Sequence, residues 1–383
     1  MARIAGRFER NTAGGEVVRA FIPAPLPPAR PPLALDTAMA EALQQAHLKL
    51  AELEIAGEMV PSVDWFVYAF VRKEAVLSSQ IEGAQATLTD LLAVEAGAEP
   101  AVADVQDVCN YLDALAYARK QLARRDGLPL SMRLLGETHR RLMKGARGAT
   151  KQPGEIRRSQ NWIGGTRPGD AAFVPPPPHE LPRLLGDLER YVHADDRLPP
   201  LVRTALIHVQ FETIHPYLDG NGRLGRLLIA LLLEHWSLLS SPLLYLSVFF
   251  KRHRSEYYRR LNEVRWSGDW ESWVGFFLEG VSTTASEAAA TARDLFALVG
   301  RDRTRVLAAR NASVMALRLM EMLPRRPVMT IPNIVRMLRT SKPTAAKAVG
   351  VLESLGILKE TTGRRRDRTF SYAAYLARLG AER

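Results

Sequence analysis

The residues with the clearest chemical potential are concentrated in one stretch, 215–226, which reads HPYLDGNGRLGR. It combines a titratable base, His215, and a carboxylate, Asp219, with a Gly-Asn-Gly turn and two arginines. The ordinary pKa of histidine, near about 6.5, makes His215 the group of this stretch that can accept a proton at neutral pH. A carboxylate beside phosphates suits Mg²⁺, a hard cation with oxygen ligands. The stretch therefore predicts chemistry on a nucleotide phosphate chain.

The phosphate-binding part of the stretch is a glycine-rich turn that leads into a helix. Gly220 and Gly222 flank Asn221 and permit positive φ and close approach of the backbone to a ligand. The first N–H groups of a helix lack intrahelical acceptors, and the helix dipole adds to their affinity for anions. Arg223 and Arg226 are three residues apart, so they share a helix face and can bind phosphate oxygens in fork geometry.

Two helices are expected to position this turn. Residues 201–214 carry apolar side chains at helical spacing, and residues 227–233 form the aliphatic run LLIALLL. Pro216 and Gly220 interrupt helix propagation between them. The motif is therefore predicted to lie between two helices.

The same stretch resembles the signature of Fic-domain proteins, H-P-[FY]-x-[DE]-G-N-G-R-x-x-R, at every defining position. The resemblance implies a mainly α fold with a Fic-type helical core and a β-hairpin flap. It implies a nucleotidyltransferase that uses ATP and Mg²⁺ to transfer AMP to Ser, Thr or Tyr hydroxyls of target proteins, self-modification included. By the same resemblance, His215 would be the general base, Asp219 the Mg²⁺ ligand, and the phosphate-binding residues Gly220, Asn221, Gly222, Arg223 and Arg226. A different nucleotide donor stays open, because the cradle recognises phosphates and leaves the base loosely specified.

A second motif, SSQIEG at residues 78–83, ends a helix predicted over 62–83. Ser78 and Glu82 are four residues apart and hence on one side of that helix, and Gly83 is a natural terminator. The pattern resembles the family's inhibitory motif, [ST]-x-x-x-E-[GN]. The resemblance implies that Glu82 pairs with Arg226 and occupies the place of the γ-phosphate. Two alternatives remain: an ordinary exposed helix-end glutamate, and a glutamate that also orients a water for removal of AMP from a modified target.

Residues 154–178 are predicted to form a β-hairpin that ends in four prolines. Trp162 and Ile163 belong to its first arm, and Gly164 and Gly165 give the turn signal. The segment resembles the Fic flap, whose unpaired edge would receive a target segment as an added strand. The alternative is an exposed hairpin without this role.

A basic amphipathic helix is predicted at residues 251–262, KRHRSEYYRRLN. By resemblance to the family, Tyr257, Tyr258 and Leu261 could wall a nucleobase or ribose pocket. Packing of the same side chains in the core is the equally weighted alternative.

Positive charge is concentrated near the C-terminus. Residues 301–372 contain 16 Lys or Arg and 5 Asp or Glu, a surplus that equals the formal net charge of the whole chain, +11. Their pattern of helices and a basic hairpin resembles a winged helix–turn–helix. Thr344 and Lys347 would then face a DNA groove, and the hairpin tip with Arg364, Arg365 and Arg366 would meet phosphate. A DNA-binding transcriptional regulator with the Fic domain as nucleotide sensor is therefore the alternative function, and a dimerisation or protein-docking role for the module also stays open.

The expected organisation follows from the positions of these motifs. A chain of 383 residues with 47% apolar content can bury a large core in two or three domains. We expect an N-terminal Fic-associated region (1–110), a Fic core (111–285), a linker helix (286–310) and a winged-helix-like domain (311–383). The single cysteine, Cys109, excludes an internal disulfide framework and favours a reducing, cytoplasmic setting. Polar residues divide the apolar region 227–250, so no membrane contact is expected, whereas a homodimer remains an option.

Overall fold

The computed structural model describes residues 3–58, 64–97, 99, 102, 104–145, 150–363 and 368–380. Within them the fold is mainly helical, as the sequence predicts. The helices are α1 (Thr37–Glu58), α2 (Asp64–Ile81), α3 (Leu88–Glu95), α4 (Val105–Ala123), α5 (Met132–Leu142), α6 (Leu181–His193), α7 (Pro200–Ile214), α8 (Asn221–His235), α9 (Ser247–Arg252), α10 (Arg254–Ser267), α11 (Trp270–Ala308), α12 (Val314–Met322), α13 (Ile331–Leu338), α14 (Lys342–Ser354) and α15 (Ala373–Gly380). The strands are β1 (Gly6–Ala13), β2 (Glu16–Pro23), β3 (Val328–Thr330), β4 (Lys359–Glu360) and β5 (Thr369–Ser371).

Helices α7 and α8 form the buried centre of the molecule. Helix α7 begins at Pro200, where the missing proline N–H removes no helical bond, and residues 201–214 are all buried. It ends at His215, whose backbone is left-handed with a φ of 49°. Gly220, with a φ of 79°, precedes α8. The junction expected at 215–226 is therefore present, and it lies in the core rather than on a peripheral loop.

The N-terminal residues form a regular hairpin that the sequence analysis missed. Strands β1 and β2 pair antiparallel from Gly6 opposite Pro23 to Ala13 opposite Glu16. The two-residue turn between them, Gly14–Gly15, has positive φ at both positions, which suits the twist of a tight hairpin. This glycine pair, which lies between two runs of β-forming residues, is the sequence feature that could have predicted the hairpin.

The segment 154–178, expected as a hairpin, is less regular than predicted. Its two arms meet in one bridge between Ile163 and Phe173, with N–H···O distances of 2.8 and 3.1 Å. A short 3₁₀ turn, Pro168–Asp170, lies between the arms. The second arm is fixed to the N-terminal hairpin, because Phe21 N–H donates to the Val174 carbonyl at 2.9 Å. We refer to residues 154–178 as the flap.

Helix α11 connects the core with the C-terminal part of the chain. Its 39 residues, at 1.5 Å per residue, extend over about 58 Å. Trp273 and Phe277 are buried near its start, and Val306 is buried near its end. The boundary expected at residue 285 falls inside this helix, so the segment expected as a linker continues the helix that packs in the core.

The residues after α11 form a small module, 314–380, of helices and a three-stranded sheet. The sheet is antiparallel with the order β3-β5-β4, and α13 and α14 lie between β3 and β4 in the chain. The hairpin of β4 and β5 is extended by a bond from Thr361 N–H to the Thr369 carbonyl at 2.9 Å. We call residues 314–380 the C-terminal module.

The C-terminal module is docked on the rest of the chain through buried polar contacts. Lys73 on α2 donates to the Leu379 carbonyl at 3.0 Å, and Asn333 donates to the Ala96 carbonyl at 2.8 Å. The Tyr372 hydroxyl donates to Asp302 Oδ2 on α11 at 2.7 Å. The module therefore contacts α2, the helix that carries the residues of the second motif.

The apolar region 227–250 is divided between two helices. Helix α8 ends before Trp236, and Ser237 takes a left-handed backbone conformation with a φ of 56° before α9 begins at Ser247. Among the described helices, none combines the length and the apolar character that crossing a bilayer requires.

We expect Tyr372→Phe to lower the free energy of unfolding by about 1–3 kcal/mol, because it removes the donor from a buried carboxylate oxygen. The loss should be at the lower end of that range, since Asp302 keeps its ion pair with Arg305 at 2.8 Å. Chemical denaturation measures the change, with Tyr117→Phe as the matched control. A Tyr372→Phe protein as stable as wild type would show that this bond does not stabilise docking of the module.

Candidate functional site

The loop between α7 and α8 is held by a buried arginine outside the motif. Arg157 Nε donates to the His215 carbonyl at 3.0 Å, and Arg157 N–H donates to the Pro216 carbonyl at 3.0 Å. The same guanidinium reaches both arms of the flap, at Ser159 O (3.1 Å) and Pro176 O (2.5 Å). Arg157 therefore joins the flap to the loop that carries His215, and the sequence analysis did not identify it.

Asn221 fixes the shape of the loop with its side chain. Its Oδ1 accepts from Tyr217 N–H at 2.9 Å, and its Nδ2 donates to the Tyr217 carbonyl at 2.8 Å. The side chain is buried, with 1% of the residue exposed. Because both ends of the amide are used within the loop, Asn221 is available to a phosphate through its main chain and not through its side chain.

Glycines at positions 220 and 222 leave the backbone at the start of α8 without side chains that would block an anion. Gly220 has positive φ, and a Cβ there would lie 2.6 Å from Met143 Sδ. A Cβ at Gly222 would collide with Glu82 Oε1. The carboxylate of Glu82 thus lies against the N-terminal turn of α8, where main-chain N–H groups and the helix dipole favour negative charge. At the turn where the sequence predicts an anion site, the structure places a carboxylate of the chain itself.

Arg226 connects that carboxylate to the core. Its Nε donates to Ser78 Oγ at 2.9 Å, and its Nη2 donates to the Ser78 carbonyl at 2.9 Å and to Glu82 Oε1 at 2.8 Å. The Arg226 side chain is 2% exposed and that of Glu82 is 37% exposed. Burial alone would lower the pKa of Arg226, but the charges of Glu82, Tyr257 and Glu212 and the hydrogen bond to Glu82 together outweigh it and raise this pKa. Helix α2 ends at Ile81, so Ser78 lies in its last turn and Glu82 and Gly83 follow directly.

Arg223 points to a different partner from Arg226. Its Nη1 lies 3.3 Å from Asp107 Oδ2 on α4, and its Nη2 lies 3.4 Å from Met143 Sδ. The residue is 5% exposed, and its Nε has no hydrogen-bond partner among the described residues. Asp107, which the sequence analysis did not single out, therefore holds one of the two arginines expected to bind phosphate.

His215 lies in an environment that keeps its imidazole neutral. Burial, followed by the charges of Arg157 and Arg265, lowers the pKa of His215 to about 3. The positive charges of Arg157 and Arg265 disfavour a further positive charge on the imidazole of His215. Its Nδ1 is buried and has no hydrogen-bond partner within the described part of the chain. At neutral pH the ring is therefore a neutral group that can accept a proton.

Asp219 offers a carboxylate at the apex of the loop. Its Oδ1 accepts from Gly220 N–H at 2.6 Å, and the residue is half-buried. The main-chain carbonyl of Asp219 is bonded to His139, 2.8 Å away. A hard oxygen donor next to a bare helix N-terminus fits a Mg²⁺ ion that also binds phosphate oxygens.

The flap residues lie close to the loop, with one aromatic ring left accessible. Asn161 Nδ2 donates to the Tyr217 carbonyl at 3.2 Å, and Ile163 forms the bridge to Phe173. Trp162 is 37% exposed, and Gly164 and Gly165 both have positive φ. The structure therefore places the flap beside the loop with an exposed side chain at the expected position.

Two of the three residues considered for a base pocket are in the core. Tyr257 and Leu261 are 1% and 3% exposed, and the Tyr257 hydroxyl lies 2.8 Å from His208 Nε2. Core packing, the alternative weighed above, describes their position. Tyr258 is 36% exposed. Partial burial of its hydroxyl, followed by the negative charge of Glu82, raises the pKa of Tyr258. Of the three, Tyr258 alone has an accessible face near the anion site.

The residues considered for DNA contact lie on α14 and on the hairpin tip. Thr344 is half-buried in the first turn of α14, with its Oγ1 2.9 Å from Ser341 Oγ, and Lys347 is exposed. Arg364, Arg365 and Arg366 lie outside the described residues.

A buried carboxyl next to Arg226 was also missed. Glu212, three residues before His215, is 6% exposed, and its Oε1 has no hydrogen-bond partner in the described structure. Burial raises the pKa of Glu212 to about 7, although the charge of Arg226 acts in the opposite direction.

We expect this carboxyl to make stability depend on pH. A pKa raised above its ordinary value means that the folded state favours the protonated form, so stability falls as pH rises through about 7. The loss is on the order of 3 kcal/mol, and Glu212→Gln should remove it. Thermal unfolding between about pH 5 and pH 8 tests this, with the exposed Glu279→Gln as control. Equal pH dependence in Glu212→Gln and wild type would contradict it.

Two regions of the chain match profiles of one protein family. The chain matches the Fic/DOC family N-terminal profile over residues 40–120 and the Fic/DOC family profile over residues 129–233. Proteins named protein adenylyltransferase Fic from Drosophila ananassae and Drosophila melanogaster are each 31% identical over 178 residues, 46% of this chain and 31% of each relative. The chain thus spans about a third of the length of these relatives.

The fold is also that of solved Fic structures. A crystal structure of a Fic family protein from Desulfovibrio desulfuricans matches with a TM-score of 0.59 at 20% identity, covering 89% of this chain and 98% of that one. A Fic domain containing signaling protein from Bacteroides thetaiotaomicron matches with a TM-score of 0.51 at 18% identity, covering 66% and 95%. Residues 40–120 and 129–233 of this chain are therefore a Fic N-terminal region and a Fic domain, and the motif is assembled between α7 and α8 of that domain.

Proposed function

We propose that this protein is an adenylyltransferase that transfers AMP from ATP to Ser, Thr or Tyr hydroxyls of target proteins and of itself. The observation that carries the proposal is the anion site at the first turn of α8, filled by Glu82 and bordered by a neutral His215. The names of the curated relatives point to the same reaction.

ATP binding would begin with replacement of the Glu82 carboxylate by phosphate. The triphosphate would take the main-chain N–H groups at the start of α8, and Arg226 would bind the γ-phosphate in place of Glu82. We assign Arg223 to the β-phosphate region, beside its ion pair with Asp107. Asp219 would hold Mg²⁺, which when bound neutralises phosphate charge. Alignment and charge neutralisation provide most of the acceleration in such transfers.

His215 would then activate the attacking hydroxyl. The hydroxyl proton moves to the imidazole, the hydroxyl oxygen bonds to the α-phosphorus of ATP, and the bond to the leaving pyrophosphate breaks. General-base assistance of this kind is worth about 10²–10⁴-fold. The low pKa of His215 keeps the ring unprotonated before the substrate arrives. Once the negative triphosphate is bound, its charge favours the protonated ring.

The flap would present the target segment to this site. Main-chain groups at a flap edge can bind an extended segment as an added strand, which fixes the hydroxyl with little dependence on sequence. Arg157 bonds to both flap arms and to the His215 carbonyl, so the docked segment and the base share one support. The exposed ring of Trp162 adds an apolar contact for the target.

In this proposal, Glu82 keeps the rate of AMP transfer low in the resting protein. Its ion pair with Arg226 competes with the γ-phosphate, and movement of α2 would release it. The partly exposed carboxylate also leaves a second role open, orientation of a water that removes AMP from a modified target.

We expect Glu82→Gly to raise AMP transfer at least about tenfold, because a bond between charged groups worth roughly 1.5–3 kcal/mol no longer competes with ATP. Incubation with each labelled nucleoside triphosphate in lysate, followed by mass spectrometry, identifies donor and target together. The Glu82→Gly/His215→Ala double variant is the control and should bind ATP without transferring label. Equal transfer by Glu82→Gly and wild type would contradict the inhibitory role of Glu82. Label transfer by the double variant would contradict the role of His215 as general base.

The alternative function, DNA binding by the C-terminal module, is supported by its exposed cations. Arg336 on α13, Arg339 directly after it, and Lys342 and Lys347 on α14 are all exposed. The module also contacts α2, through Lys73, so a DNA-bound module would be connected to the helix that directly precedes Glu82. In this case the Fic domain would act as a nucleotide sensor.

If the module binds DNA, a gel shift of duplex DNA should weaken steeply as salt rises, because bound phosphates release counterions. Lys347→Ala should weaken the shift across sequences, whereas Lys120→Ala on α4 should leave it unchanged. The absence of a shift at low salt would eliminate this alternative.

A further inference from the structure

His139 lies outside the motif and contacts two separate parts of the site. It belongs to α5 and is 1% exposed. Gly154 N–H, at the start of the flap, donates to its Nδ1 at 2.8 Å. Its Nε2 lies 2.8 Å from the Asp219 carbonyl. One imidazole thus joins the first residue of the flap to the residue that offers the carboxylate.

These two contacts define the tautomer of the ring. An amide N–H can only donate, so Nδ1 must present its lone pair, and Nε2 must carry the proton and donate to the Asp219 carbonyl. Only this neutral form makes both bonds, because a protonated ring cannot accept from Gly154.

The ring is also fixed by packing. It stacks on Tyr217 with a centroid distance of 3.9 Å and an interplanar angle of 11°. A Cβ at Gly220 would lie 3.2 Å from Nε2, so the loop backbone passes close to the imidazole. A change in the ring's position would therefore move the Asp219–Gly220 peptide.

We propose that His139 is a positioning residue that orients the Asp219 peptide for binding of Mg²⁺·ATP and fixes the start of the flap for target docking. This inference rests on the proposed function and deepens it. The carbonyl bond holds the Asp219 main chain, and the Oδ1 bond to Gly220 N–H holds its side chain, so the carboxylate is preorganised. Partners of this kind typically change metal affinity by about 10–100-fold.

Two substitutions separate the two contacts. In His139→Asn the side-chain oxygen can take the place of Nδ1 and still accept from Gly154 N–H, whereas the bond to the Asp219 carbonyl is lost. In His139→Gln the amide nitrogen can take the place of Nε2 and donate to Asp219, whereas the bond to Gly154 is lost. A purely structural role would affect both variants alike.

The test uses the full-length Glu82→Gly protein as parent. Calorimetry measures ATP binding with and without Mg²⁺, and label transfer measures kcat and KM for a protein substrate. We expect His139→Asn to raise the Kd of Mg²⁺·ATP about tenfold while metal-free ATP binding stays near that of the parent. We expect His139→Gln to keep the Mg²⁺ dependence and to raise KM for the protein substrate. His193→Asn, a change in another ring bonded to a carbonyl, should match the parent in both assays.

Unchanged Mg²⁺ dependence in His139→Asn, or identical defects in the two variants, would overturn the inference. If the variants do not fold, nitrogen NMR of the His139 ring in the parent still decides, because a proton on Nδ1 would contradict the proposed contacts. A parent that binds Mg²⁺·ATP but transfers no label would refute the proposed function, while the calorimetric comparison would still judge the role of His139.

Discussion

The buried guanidinium of Arg226 is the constraint on which the site depends. A buried charge is costly unless it is paired and hydrogen-bonded, so this cation requires an anion and acceptors wherever α8 places it. Ser78 supplies two acceptors and Glu82 the negative charge. Because Glu82 directly follows α2, the end of that helix is connected to α8 through Arg226. In the proposed function, a phosphate that binds Arg226 would change the position of Glu82.

Arg157 and Arg265, the two cations that act on His215, are held by neutral groups, and this leaves positive potential around the imidazole. Arg157 is bonded to carbonyl oxygens, and Arg265 lies over the Phe173 ring at 4.0 Å and bonds to Thr213. Desolvation lowers the pKa of both guanidiniums to about 10, so both stay charged at neutral pH. The same surroundings keep the imidazole of His215 neutral. In the proposed function this site would bind a polyanion, whose charge would offset the cations and favour proton uptake by the ring.

Helix α2 is the element shared by the core, the site and the C-terminal module. Glu74 accepts from Ser247 N–H at 3.0 Å, and Lys73 donates to the Leu379 carbonyl. One turn later, Ser78 contacts Arg226. The helix that carries Glu82 is therefore packed between two parts of the chain, and its position depends on both.

The sequence by itself was enough to predict local structure and chemistry where the residues concerned are neighbours along the chain. Residues 215–226 are contiguous, and helix-stopping residues at both ends of the turn define the junction, so local chemistry was enough to predict the junction and to propose an anion site there. The pairing of Glu82 with Arg226 followed from resemblance to the family. The tertiary structure decided the partners of single residues: His139, Arg157 and Asp107 come from separate elements and have no periodic pattern that marks their role. Periodicity also could not tell whether Tyr257 faces a pocket or the core, since the helix face is defined only by what packs against it.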